Sequence, residues 1–313
     1  MVLIERKVVL MRFTIISRPD DHSKEVSDYL RRRCEETGWK FDESDFELVL
    51  SVGGDGTLLR SIHEHLDKLD HISFVGIHTG TLGFFTDYTD KEIDAFINDI
   101  RQDECNIEKA PLLKFSSPQK EEIFYALNEV RIESLLKTLS LDVYIDGEFF
   151  EHTTGSGICV STQAGSTAIN RALQGAVIDS GLNVLQLCEI MPIAHKSHHS
   201  LRSPYIMKSD RKILVKGEDL SLAHAGYDHL ETDLNGISEI MISTSDKYVR
   251  FARYRKYSYL KRLKESILKG YLNDNLDFFV LFIFLNFLNF GGCISILFLD
   301  NGEIFMMIPK AIK

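Results

Sequence analysis

Apolar positions recur along this chain with two different periods. Up to about Cys105, short apolar runs alternate with helical stripes. Phe13 to Ser17 predicts a strand, Lys24 to Glu36 a helix, Phe46 to Val52 a strand, and Leu58, Leu59, Ile62, Leu66 and Leu69 the buried stripe of a second helix. Ile72 to Ile77 predicts another strand, Thr79 to Gly83 a glycine-punctuated loop, and Ile93, Phe96, Ile97 and Ile100 the apolar face of an amphipathic helix. This rhythm predicts an open, mostly parallel sheet with helices against it. Further on the period falls to two. Leu141, Val143 and Ile145 alternate with polar residues up to the hairpin signal Asp146-Gly147. Strands are predicted at Gly157 to Ser161, Lys212 to Lys216, Ser238 to Ser243 and Tyr248 to Phe251, with turns at Gly217, Gly226 and Asn235-Gly236. The expected organisation is an α/β N-terminal domain over 11–105, a β-rich domain over 106–250, a basic helical segment over 251–268, and an atypical hydrophobic tail over 269–313.

The predicted strand Leu48 to Val52 runs into Gly53-Gly54-Asp55-Gly56-Thr57 and then directly into a helix. Glycines let a backbone turn sharply and approach a ligand closely, and free N–H groups at a helix start favour an anion. Gly53, Gly54, Gly56 and Thr57 are therefore candidates for holding phosphate. Asp55 would repel a phosphate unless it has another task, such as taking a proton from a hydroxyl or holding a metal. The competing reading is a tight turn with an N-capping Asp.

Composition narrows the partners. With 44% hydrophobic and 26% charged residues in 313, the chain is a globular protein long enough for two cores. A formal charge of -10 argues against nucleic acid or an anionic membrane surface as partner. Cys34, Cys105, Cys159, Cys188 and Cys293 form no CxxC pair, which fits a reducing cytoplasm and neither a zinc knuckle nor a disulfide framework. His195, His198 and His199 lie among polar residues without a carboxylate and read as a solvated loop, so no metal site is assigned to protein ligands alone.

Gly53-Gly54-Asp55-Gly56-Thr57 resembles the GGDGT signature of NAD kinases, diacylglycerol-type lipid kinases and sphingosine kinases. Three further blocks resemble the NAD kinases specifically: Gly76-Ile77-His78-Thr79-Gly80-Thr81-Leu82-Gly83-Phe84-Phe85, Leu127-Asn128-Glu129-Val130, and Ser161-Thr162-Gln163-Ala164-Gly165-Ser166-Thr167-Ala168-Ile169-Asn170. The resemblance, to compact bacterial members, covers roughly Met11 to Ser266. It implies a two-domain fold with the cleft between domains, a C-terminal segment returning to the first domain, and a homotetramer. It also implies phosphorylation of the 2′-hydroxyl on the adenosine ribose of NAD, with ATP or polyphosphate as donor and Mg²⁺ or another divalent cation. Asp55 would be the catalytic base, with Asn128 and Glu129 on the ribose hydroxyls. Gly56, Phe84, Thr167, Ala168 and His229 would bind the dinucleotide, and Ser156 would stand where the family's nicotinamide-side Asp stands.

Three departures fall on that nicotinamide side. Thr154-Gly155-Ser156-Gly157 replaces Arg-Gly-Asp-Gly, Ile169 replaces a Tyr, and Gln163-Ala164 replaces Pro-Thr or Pro-Ser. They leave open a non-catalytic nucleotide-binding paralogue, and, less in keeping with the Asn128-Glu129 block, a lipid kinase sharing only the glycine turn. The run Phe278 to Leu299 is almost wholly apolar and long enough to span a hydrocarbon core of ~30 Å. Membrane anchor, segment packed on an oligomer, and translation past a natural gene end all stay open for it, and membrane contact is expected only under the first.

Overall fold

The computed structural model describes residues 11–80, 82–102, 105–193, 200–218 and 220–268, with the backbone of Ile296–Asp300 and Glu303–Met307. The chain divides into two compact units, Met1–Tyr259 and Leu260–Lys313. In the first, β1 (Arg12–Ser17) leads to α1 (Asp21–Glu35), then β2 (Lys40–Phe41), β3 (Leu48–Gly53), α2 (Asp55–His63), β4 (Ser73–His78), β5 (Thr86–Thr89) and α3 (Ile93–Arg101). The helices start where local chemistry supplies donors with partners. The Asp20 side chain accepts the Ser23 N–H ahead of α1, and Thr89 with Glu92 forms a reciprocal capping box ahead of α3.

Strands β2, β1, β3 and β4 lie side by side in that order, all parallel. The predicted stripe Ile93, Phe96, Ile97 and Ile100 is buried on one face of this sheet together with Leu30 and Val26 of α1. On the opposite face, Leu58, Leu59 and Ile62 of α2 pack with Val49, Phe74, Phe85 and Leu127. Helices thus cover both faces, as the near-continuous apolar character of β3 requires.

The remaining strands are β6 (Asn106–Ser117), β7 (Lys120–Ala126), β8 (Glu129–Glu133), β9 (Leu139–Ile145), β10 (Glu148–Gly155), β11 (Gly157–Thr162), β12 (Val184–Ile190), β13 (Tyr205–Lys208), β14 (Ile213–Gly217), β15 (His224–Tyr227), β16 (Leu230–Asp233) and β17 (Glu239–Arg253), with the short helix α4 (Ile169–Ala172) between β11 and β12. β17 pairs along one edge with β6 and along the other with β14 at its start and β4 near its end, so the parallel sheet runs on into an antiparallel one. A second, wholly antiparallel sheet is ordered β13-β12-β11-β8-β15-β16. The core between the sheets holds Leu113, Phe115, Val130, Ile132, Val143, Val160, Val215 and Ile242. The fold is an open, mostly parallel α/β layer joined to a β-rich part.

Three expectations change. Helix α2 ends at His63, so Leu66 and Leu69 of the predicted helical stripe lie in the turn beyond it. The strands expected at Ser238 to Ser243 and Tyr248 to Phe251 are one long β17 with an irregularity in its pairing between Thr244 and Tyr248. Gly226 is not a turn. It lies inside β15 opposite Arg131, and a Cβ there would meet the Arg131 guanidinium at 2.6 Å. The Asp146-Gly147 hairpin forms as predicted, with φ of 53° and 87° at the two turn residues and β9 paired to β10.

The second unit, Leu260–Lys313, is described at its helical start up to Leu268 and at an antiparallel hairpin of β18 (Ile296–Asp300) and β19 (Glu303–Met307). Residues 278–295 of the apolar run lie outside the described residues, as do His195, His198 and His199. Among the described residues no helix is long and apolar enough to cross a membrane.

One buried ion pair ties β17 to β5. The Arg253 guanidinium meets both Asp87 carboxylate oxygens at 2.8 Å and Glu108 Oε2 at 2.8 Å, and the side chains of Arg253 and Asp87 are 5% and 2% exposed. Truncating one partner of such a pair leaves a buried charge without its counterion. Arg253→Leu is expected to cost about 3–5 kcal/mol in chemical denaturation, and Asp87→Leu added to it to recover part of that loss.

Candidate active site

Gly53 ends β3 at a φ of +156°, and a Cβ on it would collide with the Thr57 side chain. Gly54 caps α2, and the Thr57 amide turns back onto its carbonyl at 3.0 Å. A Cβ on Gly54 or Gly56 would meet no atom within 4 Å, so these two glycines leave room above the turn without being required by internal packing. The turn also sits where the sheet changes direction. The chain leaves β1 for β2 on one side and β3 for β4 on the other, so the crevice at the carboxyl ends of β1 and β3 is the switch point at which open α/β sheets bind ligands.

Asp55, first residue of α2, turns its half-exposed carboxylate to the loop after β4. Oδ2 accepts the Phe84 N–H at 2.7 Å and Oδ1 the Phe85 N–H at 3.1 Å. Gly83 makes this approach possible, because a Cβ there would lie 2.1 Å from Asp55 Oδ1. Phe84 thus meets Asp55 through its backbone. Its carbonyl accepts the Tyr257 hydroxyl at 2.9 Å, and its ring stands 6.1 Å from that of Tyr259, which brings the end of this unit back to the glycine turn.

Asn128 and Glu129 stand where the chain passes from one sheet to the other, between β7 and β8. They are 7% and 3% exposed, yet Asn128 Oδ1 and Glu129 Oε2 have no hydrogen-bond partner within the protein. Ser161, the register partner of Glu129 on β11, has a buried hydroxyl in the same condition. Burial, and then the charge of Asp228, push the Glu129 carboxyl up to about 8, with Arg131 opposing. Such orphaned acceptors are expensive in a core and are expected where a ligand with hydroxyl groups completes them.

The Gly165 block, whose small residues would suit a helix start offered to a nucleotide, is instead a tight turn packed against the Asn128 backbone. Ala164–Thr167 forms a 3₁₀ turn, and a break at Ala168 separates it from α4. A Cβ on Gly165 would lie 2.1 Å from the Asn128 carbonyl, and Thr162 Oγ1 donates to the Leu127 carbonyl at 2.6 Å. Thr167 and Ala168 are half-buried at the end of this turn. Asn170 is fully buried and bridges Ser166 and Ala176, a structural role, while Ile169 packs against Cys159, Cys188 and Ile190.

Sequence reasoning passed over His63 and named Asp228 only as the neighbour of His229 in an Asp-His turn. Asp228, fully buried at its side chain and left-handed at a φ of 51°, accepts the amides of Leu127 at 2.8 Å and Asn128 at 2.7 Å. His63, last residue of α2, places Nε2 2.8 Å from Asp228 Oδ2. His229 is exposed beside it, ring centroids 5.2 Å apart, and partial burial and the neighbouring His63 hold its imidazole below the usual value. The signals available were the adjacent Asp228-His229 pair and a polar residue at the end of an apolar helical stripe.

Family models decide the lineage: the ATP-NAD kinase N-terminal domain matches residues 5–105 and the ATP-NAD kinase C-terminal domain residues 127–254. The chain belongs to the NAD kinase family. It is 35% identical to an NAD kinase of Latilactobacillus sakei over 262 residues, 82% of this chain and 98% of the relative. It is 34% identical over 262 residues to NAD kinase 1 of Bacillus subtilis, with the same coverage. Among solved structures, yeast NADH kinase complexed with NADH aligns with a TM-score of 0.72 at 17% identity, covering 83% of this chain and 88% of that one. An Archaeoglobus fulgidus NAD kinase in complex with ATP aligns at 0.65 and 24% identity, covering 81% and 97%. These two likenesses support the fold.

Within this NAD kinase fold the candidate residues form two groups. Asp55 and Phe84 meet directly, and Asn128 and Glu129 gather with Gly165 and the Asp228-His229 turn. Ser156 stands apart from both. It precedes β11, five residues back from Ser161, or roughly 16 Å at ~3.3 Å per residue, and its hydroxyl faces Met191 Sδ. A single ligand touching Glu129 and Ser156 of the same chain would have to be extended.

The Glu129 carboxyl binds its proton more tightly folded than unfolded, where its value is near 4.5. Its contribution to stability is therefore complete below about 4.5 and lost as pH rises toward about 8. Glu129→Gln is expected to raise the thermal midpoint of the ligand-free protein near neutral pH, with the gain shrinking on acidification. A gain independent of pH would show that the carboxyl does not titrate in that window.

Proposed function

We propose that this chain transfers the γ-phosphoryl group of ATP to the 2′-hydroxyl on the adenosine ribose of NAD. The observation that carries the reading is the pair of buried, partnerless acceptors Asn128 Oδ1 and Glu129 Oε2. A protonated Glu129 carboxyl can also donate, so the pair offers acceptors and a donor to two adjacent ribose hydroxyls. Thr167 and Ala168 would line the adenine side, His229 would reach the reacting end, and the space above Gly54 and Gly56 would take donor phosphates.

Asp55 is assigned as the proton acceptor. Its two amide bonds fix the carboxylate's direction. A well-aimed base suits phosphoryl transfer, whose loose transition state asks little proton removal before the phosphorus–oxygen bond has largely broken. A divalent cation, when bound with the donor, would neutralise phosphate charge. Cations of that kind are held mainly by phosphates and water with one or two carboxylates, and Asp55 is the carboxylate at the turn. No group of three His, Cys, Asp or Glu side chains converges among the described residues to hold one independently. Assembly as a cytoplasmic homotetramer is proposed from family membership, and light scattering on the purified chain tests the assembly.

A second reading, nucleotide binding without turnover, is favoured by the engagement of both Asp55 oxygens and by the uncharged Ser156. A coupled assay for NADP with ATP separates the two, since NAD binding without NADP would select the second. If the first holds, Asp55→Asn is expected to lower turnover by roughly 10²–10⁴ with NAD affinity changed only a few-fold. Near-normal turnover in that variant would remove Asp55 from the role.

A further inference from the structure

Helix α2 carries Asp55 as its first residue and His63 as its last, about 12 Å apart at ~1.5 Å per residue. The first end grips the Phe84–Phe85 loop. The other reaches Asp228, whose carboxylate takes three donors: His63 Nε2 at 2.8 Å, Leu127 N at 2.8 Å and Asn128 N at 2.7 Å. The Asp228 amide returns a bond to the Glu129 carbonyl at 3.3 Å, so this one residue clasps the backbone from 127 to 129. Two of those residues, Asn128 and Glu129, carry the buried acceptors without a hydrogen-bond partner.

An ionised Asp228 only accepts, so His63 must carry its proton on Nε2. The imidazole is itself held in place. Its side chain is 8% exposed and lies between the rings of Tyr227 at 6.0 Å and His229 at 5.2 Å. Without this third donor, Asp228 would keep two neutral amides as partners, in a left-handed backbone conformation that costs energy to maintain.

We propose that His63 is a positioning residue for the ribose-binding pair: by donating to Asp228 it fixes the Leu127 and Asn128 amides, and so sets Asn128 and Glu129 at a defined distance from Asp55 along one rigid helix. The assignment rests on the functional reading above. His63 touches neither substrate nor donor. It acts through Asp228, and α2 serves as the spacer between the base and the ribose.

The test compares His63→Gln, whose amide nitrogen reaches about as far as Nε2, with His63→Asn, which reaches only as far as Nδ1, and with His63→Leu, which keeps bulk and loses the donor. In the full chain, His63→Leu and His63→Asn are expected to raise the KM for NAD about ten-fold or more, with the KM for ATP within about two-fold of wild type and recovery in His63→Gln. In an Asp228→Asn background, His63→Leu should add less than it does in wild type, because the first change already replaces the charged acceptor of the same bond by a neutral amide. Thermal melting of each variant identifies any that fails to fold, and the Gln-against-Asn comparison decides the matter if Leu does. An unchanged KM for NAD, equal effects of Gln and Asn, or full additivity with Asp228→Asn would overturn the proposal. If the wild-type chain makes no NADP, the functional reading fails separately, and calorimetric NAD affinities of the same variants still decide the role of His63.

Discussion

The Asp228 carboxylate is the interaction on which the rest of this site depends. It sits at a turn between β15 and β16, far in sequence from the residues it holds, and joins three pieces of chain that local structure would leave independent. Two bonds go to the strand-to-strand passage at Leu127 and Asn128, and one to the end of α2. A buried carboxylate costs several kcal/mol unless its lone pairs are met, and three donors with good geometry meet them. The same charge acts on its neighbour. Glu129 is buried close by and cannot ionise at its ordinary value, so one carboxylate holds the backbone while the other keeps its proton to higher pH.

At the opposite end of α2 the logic is repeated with a different outcome. Asp55 also accepts two backbone amides, from Phe84 and Phe85, but its carboxylate stays half-exposed at the switch point of the sheet. Asp228 organises a clasp, whereas Asp55 organises a loop and still faces the crevice. The distinction follows from where α2 begins, because the strand before it ends in glycines that leave the turn open. Tyr257 then fastens the same loop through the Phe84 carbonyl, and Arg253 lies 3.4 Å from the Phe85 carbonyl, so the loop beside the candidate base is held from both sides.

Much of the fold was legible because its signals are local. The stripes Leu58, Leu59, Ile62 and Ile93, Phe96, Ile97, Ile100 emerge as buried helix faces, and Asp146-Gly147 turns the hairpin it predicts. The glycine turn was legible for the same reason, since strand, turn and helix are contiguous. What was not legible depends on long-range packing. Gly226 reads as a turn but makes room for Arg131 on the next strand, and two short apolar runs join into one β17 across a pairing irregularity. His63 and Asp228 are 165 residues apart, and nothing in either neighbourhood announces the other. The Gly165 block misleads in a similar way. Its small residues read as a helix start offered to a nucleotide, yet the lack of a side chain at Gly165 is required by contact with the Asn128 backbone.

The departures on the nicotinamide side also gain a physical meaning. Ile169 is accommodated by burial against Cys159, Cys188 and Ile190, so the apolar side chain is stabilised by the sheet rather than standing idle in a pocket. Ser156 lies at the far end of β11 from Ser161, beyond the reach of anything held only by Asn128 and Glu129. The Ser156 hydroxyl faces Met191 and its backbone bonds to Ser134 and Ile190, none of which belongs to the Asp228 clasp or the Asp55 loop. The far end of β11 and the Asp228 clasp are thus separate parts of the fold, which is why the glycine turn and the Asn128-Glu129 pair can persist in a chain that departs from its family at Ser156.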